Sequence, residues 1–315
     1  MTSPRIFVYH PNADRFQSWI QDIHPESDVV VGFDEAALER HLPDAEILLT
    51  FGRLKGAALS KATKLRWLQT TSAGIDSLVA GKDALKNVTV TNARGLHADI
   101  IGDYVIGAIT MLHWGFPGLL RDQANKNWNY HVTPTLNGRT LGIVGLGAIG
   151  AEVARRAEAM KMRVIGVRRS SGHDGVDHVY SVDRLNDVLA ECDFVVLLVP
   201  GTAETDKLIG EAQLAAMKKT AFLINVSRGS VVDEPALVAA LRKGTIAGAM
   251  LDVFEKEPLP PDSPLWEMPN VVMTAHIAGS RTDYDEGIRD IFLDNLERYL
   301  SGATLRNQVD VVRGY

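Results

Sequence analysis

The sequence predicts an α/β protein built from doubly wound parallel sheets. Three observations carry that reading. Apolar runs of about 4–6 residues recur along the whole chain without polar alternation, as strands buried on both faces require. Segments with helical spacing separate them, and strand–helix alternation is the signature of α/β architecture. The 315 residues suffice for two domains of ordinary size, each with its own core.

Taken in order, strands are predicted at RIFVYH, DVVVG, EILLT, LRWLQT and VTVTN in the first third of the chain. LGIVG, RVIGV, FVVLLV, FLINV, GAMLD and VVMTA follow in the rest. GAEVARRAEAMK and DEPALVAALRKG have helical spacing between such runs. The apolar segment from Ile100 to about Leu120 has few breakers and is read as one long helix passing from the first domain into the second. A last helix, about Tyr284 to Leu300, follows the final strand and is expected to return to the first domain. The expected domains are therefore 1–100 plus 284–315, and 101–283.

Apolar residues make up 46% and charged residues 23%, and neither figure points to disorder. A net charge of −6 argues against a nucleic-acid binder. It also means that an anionic ligand must be drawn by local positive charge. The single cysteine, Cys192, permits no intrachain disulfide. No signal peptide and no membrane-spanning run is visible, so a soluble, cytoplasmic setting is expected.

LGIVGLGAIGAEVARRA sets Gly145, Gly147 and Gly150 between a strand and a helix. That context turns a weak glycine pattern into a strong dinucleotide signal. Gly145 permits the tight turn, Gly147 lets backbone approach a pyrophosphate, and Gly150 lets helix and strand pack closely. The helix N-terminus adds oriented N–H groups and a positive dipole end. Roughly 20 residues after the glycine loop, such units place an acid that binds the ribose 2′-hydroxyl. This chain has Arg168 and Arg169 there, followed by Ser170. Arginine favours a 2′-phosphate, which an acid repels. NADP(H) is therefore the expected cofactor, with NAD(H) the lesser possibility.

Charged residues stand just past three later strands: Arg228 in FLINVSRGS, Asp252 and Glu257 in GAMLDVFEKEP, and His276 in VVMTAHIAGS. In a parallel sheet these ends share one edge, where open α/β sheets bind ligands. Carbonyl reduction needs such a set. Hydride adds to carbon while histidinium gives the oxygen a proton. A carboxylate beside the ring orients it and favours its charged form. Arginine anchors a substrate carboxylate and polarises the carbonyl. Each residue alone has an ordinary structural explanation; three at successive strand ends beside a dinucleotide loop point to function.

With these residues in place, the chain resembles the D-isomer-specific 2-hydroxyacid dehydrogenase family. The resemblance runs through TSAGID (71–76), NARG (92–95), RDQANKNW (121–128), GRTLGIVGLGAIG (138–150), VPGTAET (199–205), INVSRGSVVDEPAL (224–237), LDVFEKEPLPPDSPLW (251–266) and NVVMTAHIAG (270–279). It implies a flavodoxin-like substrate domain, completed by the C-terminal helix, and a Rossmann cofactor domain, with a cleft between them. By motif, Arg228 matches the substrate-binding arginine, His276 the general acid/base and Glu257 its carboxylate partner. Ser72, Ala73 and Gly74 match the loop that receives the substrate carboxylate, and Asp252 the residue near the nicotinamide carboxamide. Ala148, Ile149, Val199, Pro200, Thr205, Val226 and Gly279 fall in cofactor-lining segments. The helix around RDQANKNW resembles part of the family's dimer contact, so a homodimer is expected.

The chain departs from the family in places. NAD-dependent members usually carry Asp where Arg168 stands, and Ala275 replaces the proline that commonly precedes the histidine. Glu257 stands where formate dehydrogenases resembling this family carry glutamine. The absence of an extension past Tyr315 disfavours the long type of phosphoglycerate dehydrogenase. The nearest likeness is to glyoxylate/hydroxypyruvate reductases and NADP-using D-2-hydroxyacid dehydrogenases. The expected activity is NADPH-preferring reduction of a small 2-oxoacid to a D-2-hydroxyacid. The alternatives are a nucleotide-sensing module like the corepressors resembling this family, and NAD-linked oxidation. Trp67, Trp114, Trp128 and Cys192 are read as packing residues, and no metal site is proposed. Arg94 and Arg281 are left open between a substrate contact and a solvated surface.

Overall fold

A computed structural model describes residues 3–51, 54, 56–79, 81–169, 176 and 178–313. The chain folds as two compact units, one of Met1–Leu96 with Arg281–Tyr315 and one of His97–Ser280. The crossings lie a few residues from those expected. Among the described residues no helix is long and apolar enough to cross a membrane.

The first unit holds β1 (Arg5–Tyr9), β2 (Asp28–Gly32), β3 (Ile47–Thr50), β4 (Trp67–Thr70) and β5 (Thr89–Thr91). All are parallel, in the order β2-β1-β3-β4-β5. This is the flavodoxin-like winding. Successive residues point to opposite faces. Ile6, Val8, Ile47, Leu49 and Trp67 fill one core, and Phe7, Leu48, Leu68 and Val90 the other. The helix Tyr284–Ser301 belongs to this unit and covers the first of these faces with Ile288, Phe292 and Leu296. Phe292 stacks on Trp67, ring centroids 5.1 Å apart.

The second unit holds β6 (Thr140–Val144), β7 (Arg163–Val167), β8 (His178–Tyr180), β9 (Phe194–Leu197), β10 (Phe222–Asn225), β11 (Gly248–Leu251) and β12 (Val271–Met273). This sheet is also wholly parallel, in the order β12-β11-β10-β9-β6-β7-β8. Winding runs outward in both directions from the β6–β9 pair, so the switch point lies at the carboxyl end of β6. Phe194 and Val196 face one core, Val195 and Leu197 the other. Cys192 lies in the core, where burial pushes its thiol up to about 12, so it stays protonated.

Three expectations need correction. The segment 100–120 is not one helix. Ala98–His113 and Phe116–Ala124 are separate, divided by Gly115 at φ 66° with Pro117 in the first turn of the second helix. Both lie in the second unit, not across the crossing. β8 is additional; its three residues are partly exposed and form no continuous apolar run. Trp67 is buried, but Trp114 and Trp128 are exposed and are not core residues.

Candidate active site

Arg228, Glu257 and His276 follow β10, β11 and β12, three neighbouring strands that end on one edge of the same sheet. Each reaches its place by local backbone chemistry. Asn225 closes β10 and is buried. Its Oδ1 accepts from the N–H (3.1 Å) and hydroxyl (2.8 Å) of Ser227, and its Nδ2 donates to the Arg228 carbonyl at 3.0 Å. The strand is thereby turned sharply into the arginine. Gly229 comes next. A Cβ there would lie 1.9 Å from the Phe254 carbonyl carbon, so only glycine lets this loop run against the loop that carries Glu257.

Glu257 takes the Phe254 N–H on Oε1 at 3.1 Å and meets His276 Nδ1 with Oε2 at 2.8 Å. With one carboxylate oxygen fixed by backbone, the other is aimed at the ring. The side chains of His276 and Glu257 are 50% and 35% exposed, so the pair is open to a ligand rather than sealed in the core. Because Nδ1 is engaged by Glu257, Nε2 is the ring nitrogen left for a further partner.

His276 has a left-handed backbone, φ 53°, which is uncommon outside glycine. Its N–H donates to the Asp252 carbonyl at 2.8 Å. The Asp252 side chain, in a residue 2% exposed, accepts from Ile277 N–H (2.8 Å), Ala278 N–H (3.0 Å) and the Thr274 hydroxyl (2.6 Å). The Thr274 oxygen in turn meets the Tyr104 hydroxyl at 2.5 Å. Burial pushes that phenol up to about 12, so it keeps its proton at neutral pH. By sequence Asp252 matches a nicotinamide neighbour; the structure gives it a second task, gathering the His276 turn around itself.

The glycine loop sits at the switch point. Gly145 has φ 108°, and a Cβ on it would lie 2.6 Å from the Leu198 carbonyl carbon. A Cβ on Gly150 would lie 2.5 Å from the Gly145 oxygen, so that glycine serves helix–strand packing. A Cβ on Gly147 would meet nothing within 4 Å and would fill open space before the helix Ala148–Ala159. That helix has no side-chain cap, and its first turn begins at Ala148, Ile149 and Gly150. An open approach, an uncapped helix start and the required glycines fit a dinucleotide pyrophosphate.

Arg168 and Arg169 follow β7, the strand beside β6, with the Arg168 N–H donating to Tyr180 at 3.0 Å. Arg169 pairs with Glu204 on the loop after β9, so a carboxylate shares the arginine expected to meet a 2′-phosphate. Ser170 lies outside the described residues. Thr205 holds its own loop, donating to the Pro200 carbonyl at 2.6 Å and accepting from Thr202 N–H at 2.9 Å. Val199 continues from β9 beside Gly145, and Val226 lies buried after β10. Gly279 lies where a Cβ would approach the His97 ring at 3.1 Å.

Ser72, Ala73 and Gly74 lie in the first unit, after β4. All three carbonyls are tied: Ser72 accepts from Ala93 N–H (3.1 Å), Ala73 from Asn92 Nδ2 (2.6 Å) and Gly74 from the Ser72 hydroxyl (2.6 Å). The loop is thus a fixed backbone surface. Arg281 is braced within that unit by Asp283 (2.6 and 2.7 Å) and the Leu96 carbonyl (2.9 Å). Arg94 is exposed. Asn225, Gly229, Thr274 and Tyr104 were not singled out by sequence. Asn225 and Gly229 had a signal, an Asn at a strand end and a Gly after the arginine; Tyr104 had none.

Residues 106–278 match the family described as "D-isomer specific 2-hydroxyacid dehydrogenase, NAD binding domain". A relative named glyoxylate reductase, from Korarchaeum cryptofilum, is 35% identical over 98% of this chain and 96% of its own length. A solved D-isomer specific 2-hydroxyacid dehydrogenase from Xanthobacter autotrophicus Py2, in complex with NADPH and MES, has TM-score 0.90. It is 31% identical and covers 99% of this chain and 100% of its own. An NADPH-dependent glyoxylate/hydroxypyruvate reductase from Sinorhizobium meliloti, in complex with NADP and sulfate, has TM-score 0.88. It is 26% identical, with 99% and 100% coverage.

Proposed function

The chain belongs to the D-isomer-specific 2-hydroxyacid dehydrogenase family, a family of NAD(P)-dependent oxidoreductases, and from that premise we propose that it reduces a small 2-oxoacid to a D-2-hydroxyacid with NADPH. The contact of His276 with Glu257, one strand along from Arg228, is the observation that carries this reading. The names of the Korarchaeum and Sinorhizobium relatives support a 2-oxoacid as substrate.

When bound, the reduced dinucleotide supplies the hydride. Arg228 anchors the substrate carboxylate and draws charge from the carbonyl oxygen. The 72–74 loop is assigned to the same carboxylate by its motif. As the carbonyl carbon gains hydride, Nε2 of His276 gives its proton to the oxygen, and the alcohol forms. Glu257 orients the ring through Nδ1 and balances its positive charge. Arg168 and Arg169 receive the 2′-phosphate and set the preference for NADPH.

A homodimer in a cytoplasmic setting completes the reading. The homodimer is supported by the run after the helix Phe116–Ala124, where Trp128 is 94% exposed and Tyr130 and Val132 are also exposed. Aromatic surface of that kind is what a partner subunit covers.

Initial rates with glyoxylate, hydroxypyruvate, pyruvate and bulkier 2-oxoacids, with NADPH and NADH side by side, test the proposal. Faster turnover with NADPH, lost in Arg168→Ala/Arg169→Ala, is expected. His276→Ala should slow reduction by about 10²–10⁴ while NADPH still binds. No turnover with either cofactor would overturn the reading; an NADH preference would overturn its cofactor part.

A further inference from the structure

Tyr104 stands on the first helix of the second unit, far in sequence from the strand ends that carry the reacting groups. Its hydroxyl is nonetheless bonded into the turn that holds His276. The geometry points to Tyr104 and Thr274 as positioning residues for the proton donor: with Asp252 they form a hydroxyl–hydroxyl–carboxylate chain that holds the His276 turn in its left-handed form and keeps the ring on Glu257.

The direction of the chain follows from its donors. A carboxylate only accepts, so Thr274 gives its one hydroxyl proton to Asp252 at 2.6 Å. The Thr274 oxygen is then left to accept from Tyr104 at 2.5 Å. Each bond polarises the next and fixes its orientation. Asp252 delivers that orientation to the turn: its carbonyl takes the His276 N–H, and its carboxylate takes the N–H groups of Ile277 and Ala278. Three successive backbone donors thus converge on one residue. A non-glycine residue at φ 53° persists only when its surroundings hold it there.

Simple satisfaction of a half-buried phenol explains why Tyr104 has a partner. It does not explain why that partner is the residue two before the histidine, nor why the bond continues to the group that closes the turn. Packing alone predicts a loss of stability when the hydroxyls are removed. Positioning predicts a loss of turnover in protein that is still folded and still binds cofactor.

This relay rests on reading His276 as the proton donor, so the test has an arm that does not need activity. Thr274→Val, Thr274→Ser and Tyr104→Phe are compared with the parent protein for kcat and KM with glyoxylate and NADPH, for NADPH Kd by fluorescence, and for Tm. Thr274→Val and Tyr104→Phe should lower kcat by about 10- to 100-fold with NADPH Kd changed less than about twofold, and Thr274→Ser should retain the parent's kcat. Crystal structures of the two impaired variants should show Nδ1 of His276 displaced from Glu257. Parental kcat in both impaired variants, or a loss that merely tracks NADPH binding or the folded fraction, overturns the relay. So does an unchanged His276–Glu257 contact in both structures. Should His276→Ala retain full reduction, the proton-donor reading falls, while the crystallographic arm still decides whether the chain holds the turn.

Discussion

A methyl group at Gly229 would meet the Phe254 carbonyl at 1.9 Å, so Gly229→Ala must push apart the loops of Arg228 and Glu257. Overpacking of this kind costs about 1–3 kcal/mol, and urea denaturation should show it, with kcat/KM falling alongside. Unchanged stability would mean that the two loops are free to separate. Glu204 bears on cofactor choice, because its carboxylate claims the arginine that a 2′-phosphate would take. Glu204→Gln should lower the KM for NADPH by about two- to fivefold, the scale of an exposed pair, and leave that for NADH in place. Equal changes for both cofactors would detach Glu204 from phosphate selection. At this scale the charged residues were legible, since each follows an apolar run at a strand end. Gly229 and Tyr104 meet segments remote in sequence, at Phe254 and Thr274, and spacing does not show those contacts, whereas Asn225 acts on Ser227 and Arg228 beside it.

The helix Tyr284–Ser301 completes one core of the first unit. It lays Phe292 against Trp67, and the Tyr284 hydroxyl donates to the Thr71 carbonyl at 2.6 Å. Phe292→Ala should cost about 3–5 kcal/mol in the unfolding of this unit, read by calorimetry. The same helix brings Asp285 to Asn12 Nδ2 (2.6 Å) and to within 3.8 Å of buried His10 Nε2. Burial pushes His10 below its ordinary 6.5, more than Asp285 raises it. The unfolded chain therefore takes up the proton first, and stability should fall as pH drops below about 6.5, until the folded state titrates too. In His10→Gln that slope should flatten; a Tm–pH curve identical to the parent's would remove His10 as its source. Elements of this length were legible from their periodicity. β8 was not, because a short edge strand shows no continuous apolar run, and the Gly115–Pro117 break was hidden by apolar residues on both sides.

For the whole molecule, the two parallel sheets follow from continuous apolar runs and strand–helix alternation, while the strand order was implied by the family resemblance alone. The exposed run at Trp128, Tyr130 and Val132 gives a prediction of assembly: Trp128→Ser/Tyr130→Ser should sediment as a monomer if the parent is a dimer through this surface. An unchanged sedimentation profile would place the contact elsewhere. NADPH at 100 times its Kd should stabilise the protein by about 2.7 kcal/mol, and Arg168→Ala/Arg169→Ala should lose much of that gain at the same concentration. The split of the first unit between the two ends of the chain has a consequence for synthesis. A ribosome releases residues 1–96 without the helix that covers Trp67, then the whole of 97–280, and only then 281–315. The continuous unit can close while the split one still waits with an aromatic face uncovered. The period of greatest risk for aggregation thus falls on residues 1–96, and a transcript truncated near codon 280 would yield a dinucleotide-binding unit joined to an unfinished neighbour.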